Sequence, residues 1–151
     1  MKGRQTTVRI LLADDDDDDC MLAREALAES DGVIDLRVVS DGEELMDYLH
    51  HRGNYAIANL APRPNLILLD LNMPKKDGRE ALQEIKGNEQ LRRIPVVILT
   101  TSNAEEDVHR CYELGANSFI IKPFSFQDLV EVMRMINKYW FETVELPFEG
   151  L

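Results

Sequence analysis

The residues of this chain that could do chemistry stand at the ends of apolar segments. Six consecutive aspartates, Asp14 to Asp19, directly follow the apolar run 8–13. Two further strand-like runs end just before Asp70 and Lys122. Carboxylates that meet at one place repel each other, so a cation, a lysine or solvent has to offset their charge. The pattern therefore indicates a metal-assisted acidic site.

The order of the predicted elements indicates which of these residues meet. In a doubly wound sheet the site lies outside the carboxyl ends of the parallel strands, where the strand order reverses. Polar residues end the first, third, fourth and fifth predicted strands: Asp14 with Asp15, Asp70, Thr100 and Lys122. We expect them to converge at one edge of the sheet.

These residue types suit phosphoryl chemistry. Mg²⁺ takes one or two carboxylates, keeps several waters and engages a phosphate, and Asp14, Asp15 and Asp70 supply such ligands. Asp70 can then attack phosphorus to form an aspartyl phosphate. The ammonium group of Lys122 would neutralise the added charge, and the hydroxyl of Thr100 can donate a hydrogen bond to the phosphoryl group.

The elements that position these residues alternate along the chain. Apolar runs rich in Val, Ile and Leu are separated by stretches with helical spacing and capping signals. Strands of this kind are typical of a parallel sheet covered on both faces. We predict one doubly wound α/β domain over 1–141, a (βα)5 fold with a five-stranded sheet, followed by a short extension over 142–151. The predicted strands are 8–13, 34–39, 66–69, 96–99 and 118–121.

Short polar segments mark the predicted helix starts. The segment 102–105 has the spacing of a capping box, and 125–128 is a looser version, so we expect Ser102 and Ser125 to be N-caps. The aspartates 16–19 are interpreted as residues that cap and begin the first helix. The positive end of a helix dipole favours acids there.

Composition argues against several functions. A chain of 151 residues, 44% of them hydrophobic, can bury one good core but is short for two domains. A formal charge of −11 and a pI near 4.7 oppose nucleic-acid binding, which requires a basic face. No segment approaches membrane-spanning length. Cys20 and Cys111 lack CxxC spacing, which predicts reduced thiols in a cytoplasmic protein.

The motifs around these residues resemble one family. The acidic pair Asp14-Asp15, the segment 68–74 around Asp70, Thr100 and the pair Lys122-Pro123 occur in the order and at the spacing of receiver domains of two-component response regulators. The resemblance extends over nearly the whole chain. It implies the flavodoxin-like receiver fold, with Asp70 phosphorylated by a sensor histidine kinase.

The same resemblance implies further roles. The main-chain carbonyl of Asn72 would be another metal ligand, and Thr100 would be the switch hydroxyl. Phe119, three residues before Lys122, matches the aromatic switch position, where many relatives have tyrosine. The signal would pass through the fourth helix, fifth strand and fifth helix by a population shift. Such a protein is a signalling switch that catalyses only its own phosphorylation and dephosphorylation.

A narrower likeness concerns partners. The segments 62–78, 93–102 and 140–147 resemble single-domain regulators paired with phytochrome-type histidine kinases, which implies a bacteriophytochrome partner and light signalling. The C-terminal region is also dense in apolar and aromatic residues, which monomers rarely leave in water. We expect a twofold homodimer built on the fifth helix and this tail. The alternative is a tail that folds back on its own domain.

Three other interpretations compete with this one. A phosphatase of the haloacid dehalogenase type requires a second acid two residues after the nucleophile, but Asn72 stands there, and an amide cannot act as a general acid. A degenerate receiver that binds partners without phosphorylation is disfavoured because every expected site residue is present. A calcium loop over Asp14, Asp16, Asp18 and Glu25 lacks the required glycine at its sixth position.

Overall fold

Alternating strands and helices build the domain, as the sequence predicts. The computed structural model describes residues 7–29 and 32–147. Its strands are β1 (Val8–Ala13), β2 (Ile34–Val39), β3 (Leu66–Leu69), β4 (Val96–Thr100) and β5 (Ser118–Ile121). Its α-helices are α1 (Asp17–Leu27), α2 (Gly42–His50), α3 (Gly78–Gly87), α4 (Glu105–Leu114) and α5 (Phe126–Asn137). Within these described residues, no helix has both the length and the apolar character to cross a bilayer.

The strands form one parallel sheet in the order β2-β1-β3-β4-β5. The order reverses between β1 and β3, so the predicted switch point lies between Asp14 and Asp70. Strands β3 and β4 are buried along their whole length, which explains their continuous apolar sequence. The edge strand β2 is half-buried and carries Asp35 and Arg37. The predicted doubly wound fold is confirmed.

Two apolar clusters cover the two faces of the sheet. One cluster joins the sheet to α2, α3 and α4, through side chains such as Leu45, Leu82 and Cys111. The other joins it to α1 and α5, through side chains such as Ala23 and Met133. The sheet is therefore held rigidly from both sides, and the residues at its carboxyl edge stand on a fixed frame.

The capping predictions have a mixed outcome. Ser125 caps α5 and accepts a hydrogen bond from the Asp128 N–H at 3.0 Å, as predicted. Asp16 likewise caps α1. The prediction for Ser102 is wrong, because α4 begins at Glu105 and its cap residue, Ala104, makes no side-chain cap hydrogen bond.

The C-terminal segment folds back on the domain as far as the structure describes it. A turn of π-helix, Lys138–Thr143, continues α5. Phe141 and Leu146 are 6% and 5% exposed and join the cluster beneath α1 and α5. The side-chain amide of Asn65 donates to the Pro147 carbonyl at 3.4 Å. The predicted extension therefore contributes Leu146 to the core, while Phe148 and Leu151 lie outside the described residues.

Candidate functional site

Main-chain hydrogen bonds extend the sheet to the site residues. The Asp14 N–H donates to the Val39 carbonyl at 3.0 Å, and the Asp70 N–H donates to the Ala13 carbonyl at 2.9 Å. The Lys122 N–H donates to the carbonyl of Thr100, the last residue of β4, at 2.7 Å. The ladder of the parallel sheet thus fixes each backbone where the side chain leaves it. The predicted residues meet at this edge of the sheet.

Asp14, Asp15 and Asp70 form the acidic part of the site. One carboxylate oxygen from each lies within 4.8 Å of the others. Asp14 and Asp70 are 2% and 7% exposed, whereas Asp15 is open to solvent. Main-chain N–H groups of Asp16 and Asn72 bind Asp14 Oδ1 and Asp70 Oδ1 at 2.9 and 3.2 Å. A converging set of oxygens with one open side fits a hard divalent cation that keeps part of its water shell.

The electrostatics of Asp14 favour added positive charge. Burial raises the pKa of this carboxyl to about 6, and the charge of Asp70 also raises it, although Lys122 acts in the opposite direction. The carboxylate form is therefore under-compensated by the protein itself. A cation beside Asp14 would supply the missing charge.

The ammonium group of Lys122 lies inside the acidic cluster. Its Nζ is 2.6 Å from Asp14, 2.8 Å from Asp19 and 3.5 Å from Asp70, and the side chain is 4% exposed. Burial disfavours the ammonium form, but hydrogen bonds to Asp14 and Asp19 outweigh it and raise the pKa of Lys122. Lys122 therefore lies closer to Asp14 and Asp19 than to Asp70.

Asp19 is a site contact that the sequence interpretation did not assign. Its position in the sequence predicts only a residue that begins α1, because the neighbouring carboxylates are chemically identical. Because α1 begins at Asp17, the third helical residue turns back toward Lys122, whereas Asp16, Asp17 and Asp18 stay exposed. The start of the helix selects the contact, and the sequence alone does not fix that start within a run of aspartates.

Thr100 already faces the predicted nucleophile. Its hydroxyl donates to Asp70 Oδ1 at 2.7 Å, and the residue is fully buried. Phe119 is half-buried on β5 against the cluster beneath α2, α3 and α4. Its N–H donates to the Tyr112 hydroxyl at 3.2 Å. The structure thus places the two predicted switch residues on adjacent strands, β4 and β5.

Tight main-chain packing shapes the segment after Asp70. A Cβ added to Gly78 would lie 2.3 Å from the Asp70 carbonyl oxygen and 2.7 Å from Leu71 Cα, so a side chain there has no room. The Gly78 N–H donates to the Leu71 carbonyl at 2.9 Å. Lys75, in the same loop, has a left-handed backbone with φ of 66°. The start of α3 therefore supports the backbone of Asp70 directly.

The calcium-loop interpretation is not supported. Asp16 uses its carboxylate to bind the main-chain N–H groups of Asp18 and Asp19 at 3.0 and 3.1 Å. Over residues 7–29 and 32–147, the acidic group with metal-binding spacing consists of Asp14, Asp15 and Asp70. The metal-binding spacing therefore joins two strand ends, as a switch-point site does.

A buried strand-end carboxylate between a lysine and a hydroxyl, at the switch point of a doubly wound sheet, is the arrangement expected of a signal-transduction receiver domain. Residues 10–134 match the profile of the response regulator receiver domain, and the chain belongs to this family. The predicted family is confirmed.

Known relatives and solved structures agree with this assignment. The chain is 48% identical over 138 residues to response regulator Rcp1 of Synechocystis sp., covering 91% of this chain and 92% of that protein. The Mn²⁺-bound form of Rcp1 superimposes with a TM-score of 0.89 at 47% identity, over 93% of this chain and 99% of that one. The phosphorylated cyanobacterial phytochrome response regulator RcpA superimposes with a TM-score of 0.90 at 44% identity, over 95% of this chain and 100% of that one.

Proposed function

We propose that this chain is a phosphoacceptor switch in which Asp70 takes a phosphoryl group from a sensor histidine kinase. The observation that carries the proposal is the environment of Asp70. Its Oδ1 accepts hydrogen bonds from Thr100 and from the Asn72 N–H, at 2.7 and 3.2 Å. Its Oδ2 lies 3.5 Å from Lys122 Nζ, which leaves this oxygen the less occupied of the two.

The transfer step follows from that difference. Asp70 Oδ2 attacks the phosphorus of phosphohistidine in line, an O–P bond forms, and the P–N bond breaks with its electron pair returning to the imidazole. Lys122 offsets the charge of the acyl phosphate from its buried position beside Asp70. The hydroxyl of Thr100 then turns from the carboxylate to a phosphoryl oxygen at little cost, because it is already oriented toward Asp70.

The chemistry of the acidic group favours Mg²⁺ as the resident cation. Asp14, Asp15, Asp70 and the main-chain carbonyl of Asn72 would hold it, and it would supply charge neutralisation to the transferred oxygens. The Mn²⁺-bound form of Rcp1 supports this proposal, because it shows that a protein similar to this chain binds a divalent ion. The raised pKa of Asp14 supports it from the side of this chain, because a cation would stabilise the carboxylate form.

Phosphorylation at Asp70 would be transmitted through Thr100 and Phe119. The two residues lie on adjacent strands, and Phe119 is only half-buried, so it can move inward when Thr100 is drawn toward the phosphoryl group. The surface that would report the change is formed by α4, β5 and α5. A signal of this kind is passed to another protein by differential binding of the two states.

The likeness to the cyanobacterial phytochrome response regulator RcpA supports a phytochrome-type histidine kinase as the phosphoryl donor, and therefore a role in light signalling. The cysteines, Cys20 and Cys111, are both free thiols, which supports the cytoplasm as the compartment.

We propose that the protein forms a homodimer built on α5 and the tail. The folded-back tail leaves Met135 and Tyr139 69% and 54% exposed on this side of the molecule. Light scattering of Met135→Glu tests the interface, with Met21→Glu on α1 as the control, since Met21 is 62% exposed. We expect a dimer that only Met135→Glu dissociates. A wild-type monomer at high micromolar concentration, with or without beryllofluoride, would end the dimer proposal.

Intact-mass spectrometry after incubation with acetyl phosphate and Mg²⁺ tests the function. We expect one added phosphoryl group on the wild type and none on Asp70→Asn, which keeps the shape of the side chain but not its nucleophilicity. Asp47→Asn, at a half-exposed carboxylate in a surface ion pair, is the matched control and should label normally. Turnover of added phosphomonoesters would instead indicate a phosphatase, and an unchanged mass would indicate a module that works without phosphorylation.

A further inference from the structure

A series of polar contacts connects the main chain after Asp70 to the start of α3, then to α4, and finally to the loop after Thr100. We propose that Arg79, Asp107 and Ser102 form a latch that holds Thr100 toward Asp70 before phosphorylation, which makes Arg79 and Asp107 positioning residues for the switch. The inference rests on the proposed role of Asp70 and concerns the neighbouring residues that regulate the same site.

The contacts between the main chain after Asp70 and the side chain of Arg79 are rigid. The Gly78 N–H binds the Leu71 carbonyl at 2.9 Å, so α3 begins in direct contact with the main chain after Asp70. The next residue, Arg79, is oriented by Asp77, whose carboxylate oxygens lie 2.9 and 3.1 Å from Arg79 Nη1. The guanidinium group is thus fixed with respect to the backbone of the phosphoacceptor.

The centre of the latch is a bidentate ion pair between α3 and α4. Arg79 Nε and Nη2 each donate to one oxygen of Asp107, both at 2.6 Å. The side chains are only 31% and 17% exposed, so water screens this pair less than a typical surface ion pair. The pair fixes the first turn of α4 on the start of α3.

Further contacts connect Asp107 to the loop that follows Thr100, the predicted switch residue. Ser102 Oγ donates to Asp107 Oδ2 at 2.5 Å. Ser102 stands two residues after Thr100, whose hydroxyl is 2.7 Å from Asp70 Oδ1. Asp107 therefore holds the loop between β4 and α4 at the point that decides which way Thr100 faces. These contacts, together with the main chain from Asp70 to Leu71, from Gly78 to Arg79 and from Thr100 to Ser102, close a ring that begins and ends at Asp70.

The missing cap of α4 supports this role independently. Asp16, Asp41, Asp77 and Ser125 cap the other α-helices of the described chain with side-chain hydrogen bonds, whereas α4 begins at Ala104 without one. The start of α4 is consequently held by side-chain contacts to its neighbours. An element without a cap can be shifted more easily when those contacts break, which suits a part of a switch.

The threonine methyl resonance of Thr100 reports the latch in the free protein. It can be assigned with Thr100→Ser, and we expect it to shift in Arg79→Ala, Asp107→Asn and Ser102→Ala. Ser102→Thr retains the hydroxyl and should preserve the wild-type resonance. Arg134→Ala is the matched control, because it removes a similar bidentate contact, the one that the Arg134 guanidinium group makes with Glu29 between α5 and α1. An unshifted Thr100 resonance in folded Arg79→Ala and Asp107→Asn would overturn the latch.

Beryllofluoride titration in Mg²⁺ gives the functional measure. If the latch pre-orients Thr100, breaking it lowers the binding-competent fraction, and the apparent dissociation constant of Arg79→Ala rises about 2- to 30-fold. The affinity for Mg²⁺ alone should stay at the wild-type value. A fall in Mg²⁺ affinity by the same factor would overturn the inference, since it would indicate general damage. Wild-type protein that binds no beryllofluoride would contradict the proposed function, while the resonance experiment would still decide the latch.

Discussion

Lys122→Met should destabilise the metal-free protein by about 3 kcal/mol. The side chain is 4% exposed and its Nζ contacts three carboxylates, of which Asp14 is 2% exposed. Removal of one partner from a buried ion pair typically costs about 3–5 kcal/mol, because the remaining charge has neither solvent nor counterion. Methionine keeps most of the apolar stem, so the change isolates the loss of the ammonium group.

Protonation of Asp14 limits the loss. The pKa of this carboxyl is already raised to about 6, so only a small free-energy cost separates it from its neutral form at pH 7. Without Lys122 its pKa rises further, and Asp14 can take up a proton instead of remaining an uncompensated charge. The expected loss therefore falls at the lower end of the range, and it should shrink as the pH falls from 7 to 5.

Urea denaturation with chelator and with millimolar Mg²⁺ measures the effect. Mg²⁺ should stabilise both proteins by binding the native state, by about 2.7 kcal/mol at 100 times its dissociation constant. It should stabilise Lys122→Met more, because the variant has lost the competing positive charge. The control is Lys75→Met, since Lys75 is 62% exposed and 3.7 Å from Asp41, and it should change the free energy of unfolding by less than about 1 kcal/mol. If Lys122→Met lowers the free energy of unfolding as little as this control does, the ammonium group does not stabilise the acidic cluster as we expect. The same holds if Mg²⁺ leaves the difference in free energy between the variant and the wild type unchanged.

Three further changes test other parts of the site. Gly78→Ala should lower the free energy of unfolding by about 1–3 kcal/mol in urea and slow acetyl phosphate labelling, because its Cβ would lie 2.3 Å from the Asp70 carbonyl oxygen; labelling at the wild-type rate would contradict this. Phe119→Ala should label normally and change only partner binding, and loss of labelling with Mg²⁺ affinity intact would count against the switch role. Hydrogen bonds from Arg79 and Ser102 lower the pKa of Asp107 from 3.8 to about 2. The contribution of Asp107 to the free energy of unfolding is therefore present above pH 4 and is lost as the pH falls through 2. Asp107→Asn should therefore cost about 2 kcal/mol in urea at pH 7 and progressively less between pH 4 and pH 2, and an equal cost at both ends would contradict the assignment.

The strands and the main site residues could be predicted because one physical pattern fixes both. A parallel sheet covered on two faces requires apolar strands, and polar residues become possible only where those strands end. Asp14, Asp70 and Lys122 stand at such ends. Their meeting point therefore follows from the order of the elements.

The remaining contacts depend on choices between equivalent residues. Six adjacent aspartates offer the same chemistry, and only the start of α1 at Asp17 directs Asp19 toward Lys122. Ser102 has the spacing of a cap, but its hydroxyl donates to Asp107, and α4 starts three residues later at Glu105. The sequence shows that the tail is rich in apolar residues, but it does not show which surface Leu146 covers. That surface is the apolar cluster beneath α1 and α5. These outcomes are set by tertiary geometry, which local spacing does not encode.

The exposed aspartates 15–18 lie at the entrance of the site and influence how fast charged molecules approach Asp70. On a chain with a formal charge of −11, they create a negative potential at the entrance to Asp70. That field accelerates the approach of cations and basic surfaces and retards small anions, within a screening length of about 8 Å at physiological salt. Acetyl phosphate must diffuse in against it, whereas a protein donor with a basic rim is steered toward it. If Asp70 is the phosphoacceptor that we propose, the acidic entrance would thus discriminate among phosphodonors by their association rates, before any contact with Asp70 is made.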